Sequence, residues 1–263
     1  MRLPDPKDDP TWACLRAHDV EELWDPAQSP HIAATYQARM QLLSDLVVGL
    51  AGPGGRVLDV GCAQGTLGLT LAERGLRVTL LDVRHESLEY ARSRHETGEV
   101  TFCVGVLGPD MPPANDFDVV MCTEVLEHVP APAQFLLQLR SKVRAGGALC
   151  LTTPNGDYLM AHLPTYGGAP QSTIDEAEPN SMDGGAHRYL YTREELIALV
   201  RGAGMRLEQH GFFSPAWLEG HLKTRQLHRL HYRWRKQLLR VPARLPERLG
   251  RRFCASQYLV ARA

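Results

Sequence analysis

The sequence predicts an α/β fold, a doubly wound and mostly parallel sheet with helices on both faces. Three observations carry that expectation. Short apolar runs of strand length alternate with stretches whose apolar residues recur at helical spacing, the rhythm of βαβ units. One such run, Arg56–Val60, feeds straight into a glycine-rich turn, Gly61-Cys-Ala-Gln-Gly65, and the turn opens a helix. A second run ends in Asp82, about twenty residues further on, where a Rossmann-like sheet places an acceptor for a ribose diol.

Taken in order, Met1–Pro10 is rich in proline and aspartate and reads as a frayed terminus. Trp12–Trp24 reads as a short amphipathic helix with Leu15, Val20 and Leu23 turned inward. Ser29-Pro30 starts a longer helix with Ile32, Tyr36, Met40, Leu43 and Leu46/Val47 on its apolar stripe, closed by Gly49 and Gly52. Residues 1–50 therefore form a helical cap ahead of a main domain at 51–263. Tyr36 and Arg39 either face a pocket or pack and solvate, and packing is the preferred reading. Arg56–Val60, Val78–Asp82, Val100–Val104, Asp118–Cys122 and Ala148–Thr153 read as five parallel strands. Helices near Thr66–Arg74, Glu86–His95 and Pro132–Lys142 connect them. Met205–Phe213 and Ser256–Arg262 alternate as a sixth and a seventh strand.

Two stretches exceed a minimal fold. Residues 154–190 carry Pro, Gly, Asp and Asn with little periodicity and leave from the carboxyl edge of a central strand, so they read as a substrate-side lid. Residues 214–254 read as a basic helical insert. Its stretch His221–Arg252 holds eleven Lys or Arg against one acid, Glu247. Leu227, Leu230, Trp234 and Leu238 would share one helical face there. The insert reads first as a solvated helix whose arginines balance acids elsewhere, with that face packed on the body, and the same face could also make a peripheral membrane or partner contact through 221–252. Clustered cations also supply phosphate contacts. No stacking platform or base-reading motif accompanies them, so nucleic acid is the less favoured partner.

Bulk properties bound the function. A net charge of −1 gives no whole-molecule field that favours nucleic acid or membrane. The six cysteines lack paired metal spacing, and Cys103, Cys122 and Cys150 lie in apolar strand-like runs, which suggests a reducing compartment. With no signal peptide and no apolar run of about 18 residues, the expected location is cytoplasmic.

The glycine turn does not look built for a dinucleotide. It reads Asp59-x-Gly61-x-Ala63-x-Gly65, with an acid two residues before the first glycine. A carboxylate there repels a diphosphate and attracts an ammonium group. Gly61 and Gly65 allow close backbone approach, and Ala63 keeps that approach open if its φ is negative. Asp59, Asp82 and the turn together suit a ligand with a cationic amino-acid end and a ribose.

At these residues the sequence resembles the class I S-adenosylmethionine-dependent methyltransferases, over roughly Gln37 to Ala263. The markers are V-L-D-V-G-C-A-Q-G, L-L-D-V, F-D-V-V-M-C-T-E-V-L-E-H-V, A-G-G-A-L-C-L-T-T-P-N and T-R-E-E-L-I-A-L-V-R-G-A-G-M. The resemblance implies a strand order 3-2-1-4-5-7-6 with the seventh strand antiparallel. It implies that Asp59, Gly61, Cys62 and Gly65 surround the methionine end of S-adenosylmethionine, and that Asp82 and Val83 lie at the ribose. Val106 and Leu107 would meet the adenine, through backbone, because Val106 stands where relatives often carry aspartate. Cys122 and Thr123 would lie near the sulfonium, and the leading helices would cover the site.

The chemistry is expected after the fourth strand, in Glu124-Val-Leu-Glu127-His128. On a helix, positions i, i+3 and i+4 share a face, so Glu124, Glu127 and His128 would point together. His187, in G-A-H-R-Y-L-Y, is a fourth member. The run E-V-L-E-H-V is similar to that of the ubiquinone-pathway O-methyltransferases. The Glu/Glu/His/His set is similar to the metal site of the small-RNA 2′-O-methyltransferases. The carry-over makes Glu124, Glu127, His128 and His187 ligands of a divalent metal that activates a hydroxyl. Without a metal, His128 or His187 is the general base, since imidazole titrates near neutrality in water. A purely structural account is also open, because acids suit a first helical turn and an imidazole at 128 can serve only the fold's hydrogen bonding. The expected function is methyl transfer to a small-molecule acceptor, oxygen before nitrogen. RNA 2′-O-methylation, small-molecule N-methylation and a non-catalytic cofactor-binding scaffold are the alternatives. The sequence names neither the acceptor nor an oligomeric state.

Overall fold

A computed structural model describes residues 1–112, 116–169, 187, 189–215 and 246–263. Seven strands run Arg56–Val60 (β1), Arg77–Asp82 (β2), Glu99–Val104 (β3), Phe117–Thr123 (β4), Val143–Pro154 (β5), Arg206–Pro215 (β6) and Cys254–Arg262 (β7). They form one sheet in the order β3-β2-β1-β4-β5-β7-β6. The strands from β3 to β5 pair in parallel, and β7 pairs antiparallel with both β5 and β6. This is the expected Rossmann-like topology.

Period-two alternation splits the core into two layers. Val57, Val119, Met121, Ala148 and Cys150 face one side, where they pack with Leu43 and Val47. Leu58, Val60, Val120, Cys122, Leu149 and Leu151 face the other. Cys122 and Cys150 are therefore core-filling thiols on opposite faces. The helices are Pro10–Asp19 (α1), Pro30–Ala51 (α2), Thr66–Glu73 (α3), His85–Arg94 (α4), Pro132–Lys142 (α5), Arg193–Gly202 (α6) and Glu247–Phe253 (α7). α2, α3 and α4 cover the first face, and α5 and α6 cover the second. α6 begins in a capping box in which Thr192 and Glu195 satisfy each other's backbone donors.

Several local expectations change. The N-terminus is packed rather than frayed: Arg2 donates its amide to the Arg94 carbonyl at 3.0 Å, and Trp12 donates its indole N–H to the Asp5 carbonyl at 3.0 Å. The helix expected over Trp12–Trp24 ends at Asp19, and Val20–Trp24 forms a wider π-type turn. Ile32 is exposed, while Ala33, Leu43 and Val47 supply the buried stripe of α2. Of the expected lid, residues 170–186 and 188 lie outside the described residues. So does 216–245 of the basic stretch, with Leu227, Leu230, Trp234 and Leu238. Among the described residues no helix is long and apolar enough to cross a membrane.

Candidate active site

The glycine turn is built by backbone geometry and one acid. Asp59 is almost fully buried near the end of β1. The chain then reverses at Gly61, whose φ of 71° belongs to the left-handed region, and a Cβ there would lie 2.6 Å from the Val125 side chain. Gly65, at φ 72°, caps α3. The condition set for Ala63 is not met: its φ is +48°, in the left-handed region. A left-handed alanine costs roughly 1–2 kcal/mol. Asp82 offsets part of that cost, because its Oδ2 accepts the Ala63 amide at 2.8 Å. Asp82 Oδ1 accepts the Arg84 amide at 2.9 Å. The acid ending β2 thus shapes the turn, and its Oδ1 also lies 3.4 Å from the Arg84 guanidinium.

A cavity of about 310 Å³ opens here, over the carboxyl ends of β1, β2 and β4. Of the residues expected at the site, Asp59, Gly61, Cys62, Asp82, Glu124 and His128 line it. Gly65, Val83, Val106, Leu107, Cys122, Glu127 and His187 are not in its lining. Cys122 and Leu107 are buried in the core beneath, and of the pair expected together at the end of β4 Thr123 lines the cavity and Cys122 does not. Val106 is 65% exposed. The roof comes from the leading helices, where His18, Glu22, Tyr36 and Arg39 line the cavity. Tyr36 and Arg39 therefore face the cavity instead of only packing, with the guanidinium carbon 5.3 Å from the ring centroid. Gln64 and Arg84 also line it. No motif marks His18 or Glu22, which read in sequence as solvated positions of a short helix.

The cavity is electrostatically prepared for a cation. Asp59 Oδ1 is buried without a hydrogen-bond partner. Burial, and then the charge of Asp82, push the Asp59 carboxyl up to about 7. Burial likewise raises Glu22 to about 7, against the pull of Arg39. Both acids would be relieved by an ammonium group. Burial and the two aspartates push the Cys62 thiol up, so it stays protonated and is no nucleophile.

The acid–histidine segment departs from the expected helix face. Glu124 takes a left-handed φ of 54°, and only Leu126–His128 forms a single 3₁₀ turn. Glu124, Glu127 and His128 therefore do not share one helical face. Glu127 is fully buried, with Oε2 accepting the Thr153 hydroxyl at 3.0 Å and Oε1 lacking a hydrogen bond. Burial, and then the charge of Glu124, push its carboxyl well above the usual carboxylate range. Two tyrosines bracket the turn: Tyr191 donates to the Leu126 carbonyl at 3.1 Å and Tyr189 to the Val129 carbonyl at 2.6 Å. His187 Nε2 lies 3.9 Å from Glu127 Oε1, and the His128 and His187 rings are 5.2 Å apart. Glu127, His128 and His187 each offer a donor atom within 4.8 Å of the others, and Glu124 is not in that group. The expected four-ligand set is reduced to three, an N,N,O set that suits a borderline divalent ion.

Comparison with known proteins follows this geometry. The chain matches the family described as a methyltransferase domain over residues 51–197. It is 34% identical over 170 residues to the ubiquinone biosynthesis O-methyltransferase of Xanthomonas axonopodis pv. citri (strain 306), a match covering 62% of this chain and 68% of that one. An S-adenosylmethionine-dependent methyltransferase from Mesorhizobium loti superposes with a TM-score of 0.58 at 19% identity, covering 88% of this chain and 98% of that one. Magnesium protoporphyrin IX methyltransferase from Synechocystis PCC 6803 superposes with a TM-score of 0.54 at 16% identity, covering 98% and 89%. These two structures share the fold. The matched span contains the glycine turn, both aspartates and the Glu127–His128 turn, and the chain belongs to the S-adenosylmethionine-dependent methyltransferases.

Proposed function

We propose that the protein transfers a methyl group from S-adenosylmethionine to a hydroxyl oxygen of a small-molecule acceptor. One observation carries the reading: a single cavity is lined at once by the aspartate pair, Asp59 and Asp82, and by His128. The cofactor fits the residues present. Its ammonium would satisfy the orphaned Asp59 oxygen, its carboxylate would meet Arg39 on the roof, and its ribose diol would meet the Asp82 carboxylate at the cavity wall. Gly61 and Cys62 would border its methionine end, with Gly65 holding the turn behind them. Val83, Val106 and Leu107 follow the ends of β2 and β3, the edge where its base would lie.

When bound, S-adenosylmethionine supplies an electrophilic methyl carbon on a sulfonium. The chain's residues hold the acceptor oxygen in line with it, and alignment supplies a large share of such a rate enhancement. His128 would take the hydroxyl proton as the acceptor oxygen gains the methyl group, so that the proton would end on the imidazole and the positive charge would pass from the sulfonium to the imidazolium. His187, beside the buried Glu127, is the second imidazole able to take that proton. The preference for oxygen is supported by relatives whose names describe O-methyltransferases.

A second reading of the same turn is favoured by Glu127 Oε1, buried without a hydrogen bond beside His187. Glu127, His128 and His187 would hold a divalent ion, which would lend Lewis acidity to the acceptor oxygen. The ion needs Glu127 ionised, so its binding releases a proton and strengthens as pH rises.

Two measurements test the proposal. Calorimetry with S-adenosylhomocysteine should give saturable binding, and no binding at high micromolar ligand would end it. Methyl-labelled S-adenosylmethionine should label small alcohols or phenols in preference to amines and short RNAs. The metal reading predicts that a chelator abolishes labelling and that Mn or Zn restores it.

A further inference from the structure

Arg94, in the last turn of α4, is fully buried and is not in the cavity lining. A buried guanidinium needs several acceptors, because each donor left dry is costly. Its acceptors come from separate stretches of chain. Nη1 donates to the Gln64 carbonyl and to the Thr66 hydroxyl, each at 2.8 Å, where the glycine turn enters α3. Nε lies 3.0 Å from the carboxylate of Asp19, the fully buried last residue of α1. Tyr90, one turn earlier on α4, donates its hydroxyl to the same Asp19 oxygen at 2.8 Å. The Gln64 side-chain amide reaches the Glu22 carboxylate at 3.5 Å.

We infer that Arg94 is a positioning residue that couples the N-terminal cap to the cofactor turn, so that docking of the cap and binding of the cofactor assist one another. The inference rests on the cofactor reading of the cavity. If the cap leaves, the guanidinium loses Asp19 and keeps a neutral carbonyl and a neutral hydroxyl, a poor environment for a buried charge. Its hold on the Gln64 carbonyl, one residue before Gly65, changes with it. The cap also carries His18 and Glu22 into the cavity wall, so roof and turn take their places together. Such coupling is reciprocal: the factor by which a docked cap strengthens cofactor binding is the factor by which cofactor stabilises docking.

The test uses the full chain and S-adenosylhomocysteine as the probe. In the unsubstituted protein, ligand should slow amide exchange across residues 10–24. Asp19→Asn keeps the shape of the carboxylate and removes its charge. It should raise the dissociation constant about tenfold or more and abolish that protection, a charge-assisted contact being lost. Arg94→Lys, which restores charge without the fork, should bind more tightly than Arg94→Met. Because a lone buried charge can unfold the chain, the double variant Asp19→Asn/Arg94→Met removes both charges and should show the same weakened, uncoupled binding. Unchanged affinity in a folded Asp19→Asn or double variant, with cap exchange in the unsubstituted protein indifferent to ligand, overturns the coupling. If the unsubstituted protein itself binds no ligand, the cofactor reading falls first.

Discussion

The glycine turn after β1 and the acid–histidine turn after β4 stand at the same edge of the sheet and are held in unlike ways. The first is tied by its own backbone bonds and by two side chains, Asp82 and the buried Arg94 on the Gln64 carbonyl. The Gly61 amide donates to the Leu81 carbonyl at 2.8 Å, Gly65 donates to Cys62 at 2.8 Å, and the side-chain tie to Ala63 comes from Asp82 on the adjacent strand. The second is held by side chains from distant segments: Thr153 on β5, and Tyr189 and Tyr191 ahead of α6. A turn with its own backbone bonds tolerates drift in its other side chains and can serve one ligand across many relatives. A turn held by borrowed hydroxyls changes whenever those hydroxyls move, which suits the half of a site that must match a particular acceptor.

The largest effect should separate the two halves outright. His128→Ala should lower kcat by roughly 10²–10⁴-fold and leave affinity for S-adenosylhomocysteine as it was. Weakened cofactor binding in that variant would blur the division. The converse substitution, Asp59→Asn, should weaken cofactor binding roughly 10- to 100-fold by removing a charge-assisted contact. Calorimetry reads it directly, and unaltered affinity would mean that the ammonium lies elsewhere. Tyr191→Phe is gentler. It removes one of the two donors to the Leu126 carbonyl, which keeps the Val129 amide at 3.2 Å, costs about 1 kcal/mol of stability, and should cut kcat about tenfold with no change in cofactor affinity. A loss of stability alone, with kcat intact, would demote the tyrosine bracket to scaffolding.

The smallest expected effect concerns pH. Folded Asp59 keeps its proton up to about 7, against an ordinary 3.8. Between those values the folded state binds more protons than the unfolded one, so this group's contribution to stability falls as pH rises from about 4 to about 7. Thermal melts of the ligand-free protein should show that decline relative to Asp59→Asn, which lacks it. Glu22, also raised to about 7, remains in both and cancels in the difference. A bound ammonium favours the ionised form, so S-adenosylhomocysteine should flatten the slope. An unchanged slope with ligand bound would place the cation away from Asp59.

Much of the fold was legible because its signals are short-range. Strand alternation, the β1 turn and the Asp82 strand end each need only a few consecutive residues, and the structure puts Asp59, Gly61, Cys62 and Asp82 around one cavity. What was not legible shares a cause. For Ala63 the sequence left φ open, and a hydrogen bond to an acid on another strand accompanies the left-handed conformation it takes. Glu124-Val-Leu-Glu127-His128 reads as a helix by spacing. The Glu124 amide instead bonds to the Thr152 carbonyl at 3.0 Å, which unwinds the first turn. His18 and Glu22 look like solvated positions, and their place in the cavity depends on where α1 docks.

By itself the sequence determined the alternation of strands and helices and the acid-flanked glycine turn, since these follow from local periodicity and from charge at fixed spacing, while the strand order and the cofactor were what its resemblance to the methyltransferases implied. Tertiary structure alone decided which side chains close the cavity, that Glu127 is buried beside His187, and that Arg94 stands between Asp19 and Gln64. The physical reason is range. Backbone preferences act over a few residues, whereas desolvation and the pairing of buried charges depend on segments brought together only when the whole chain has folded.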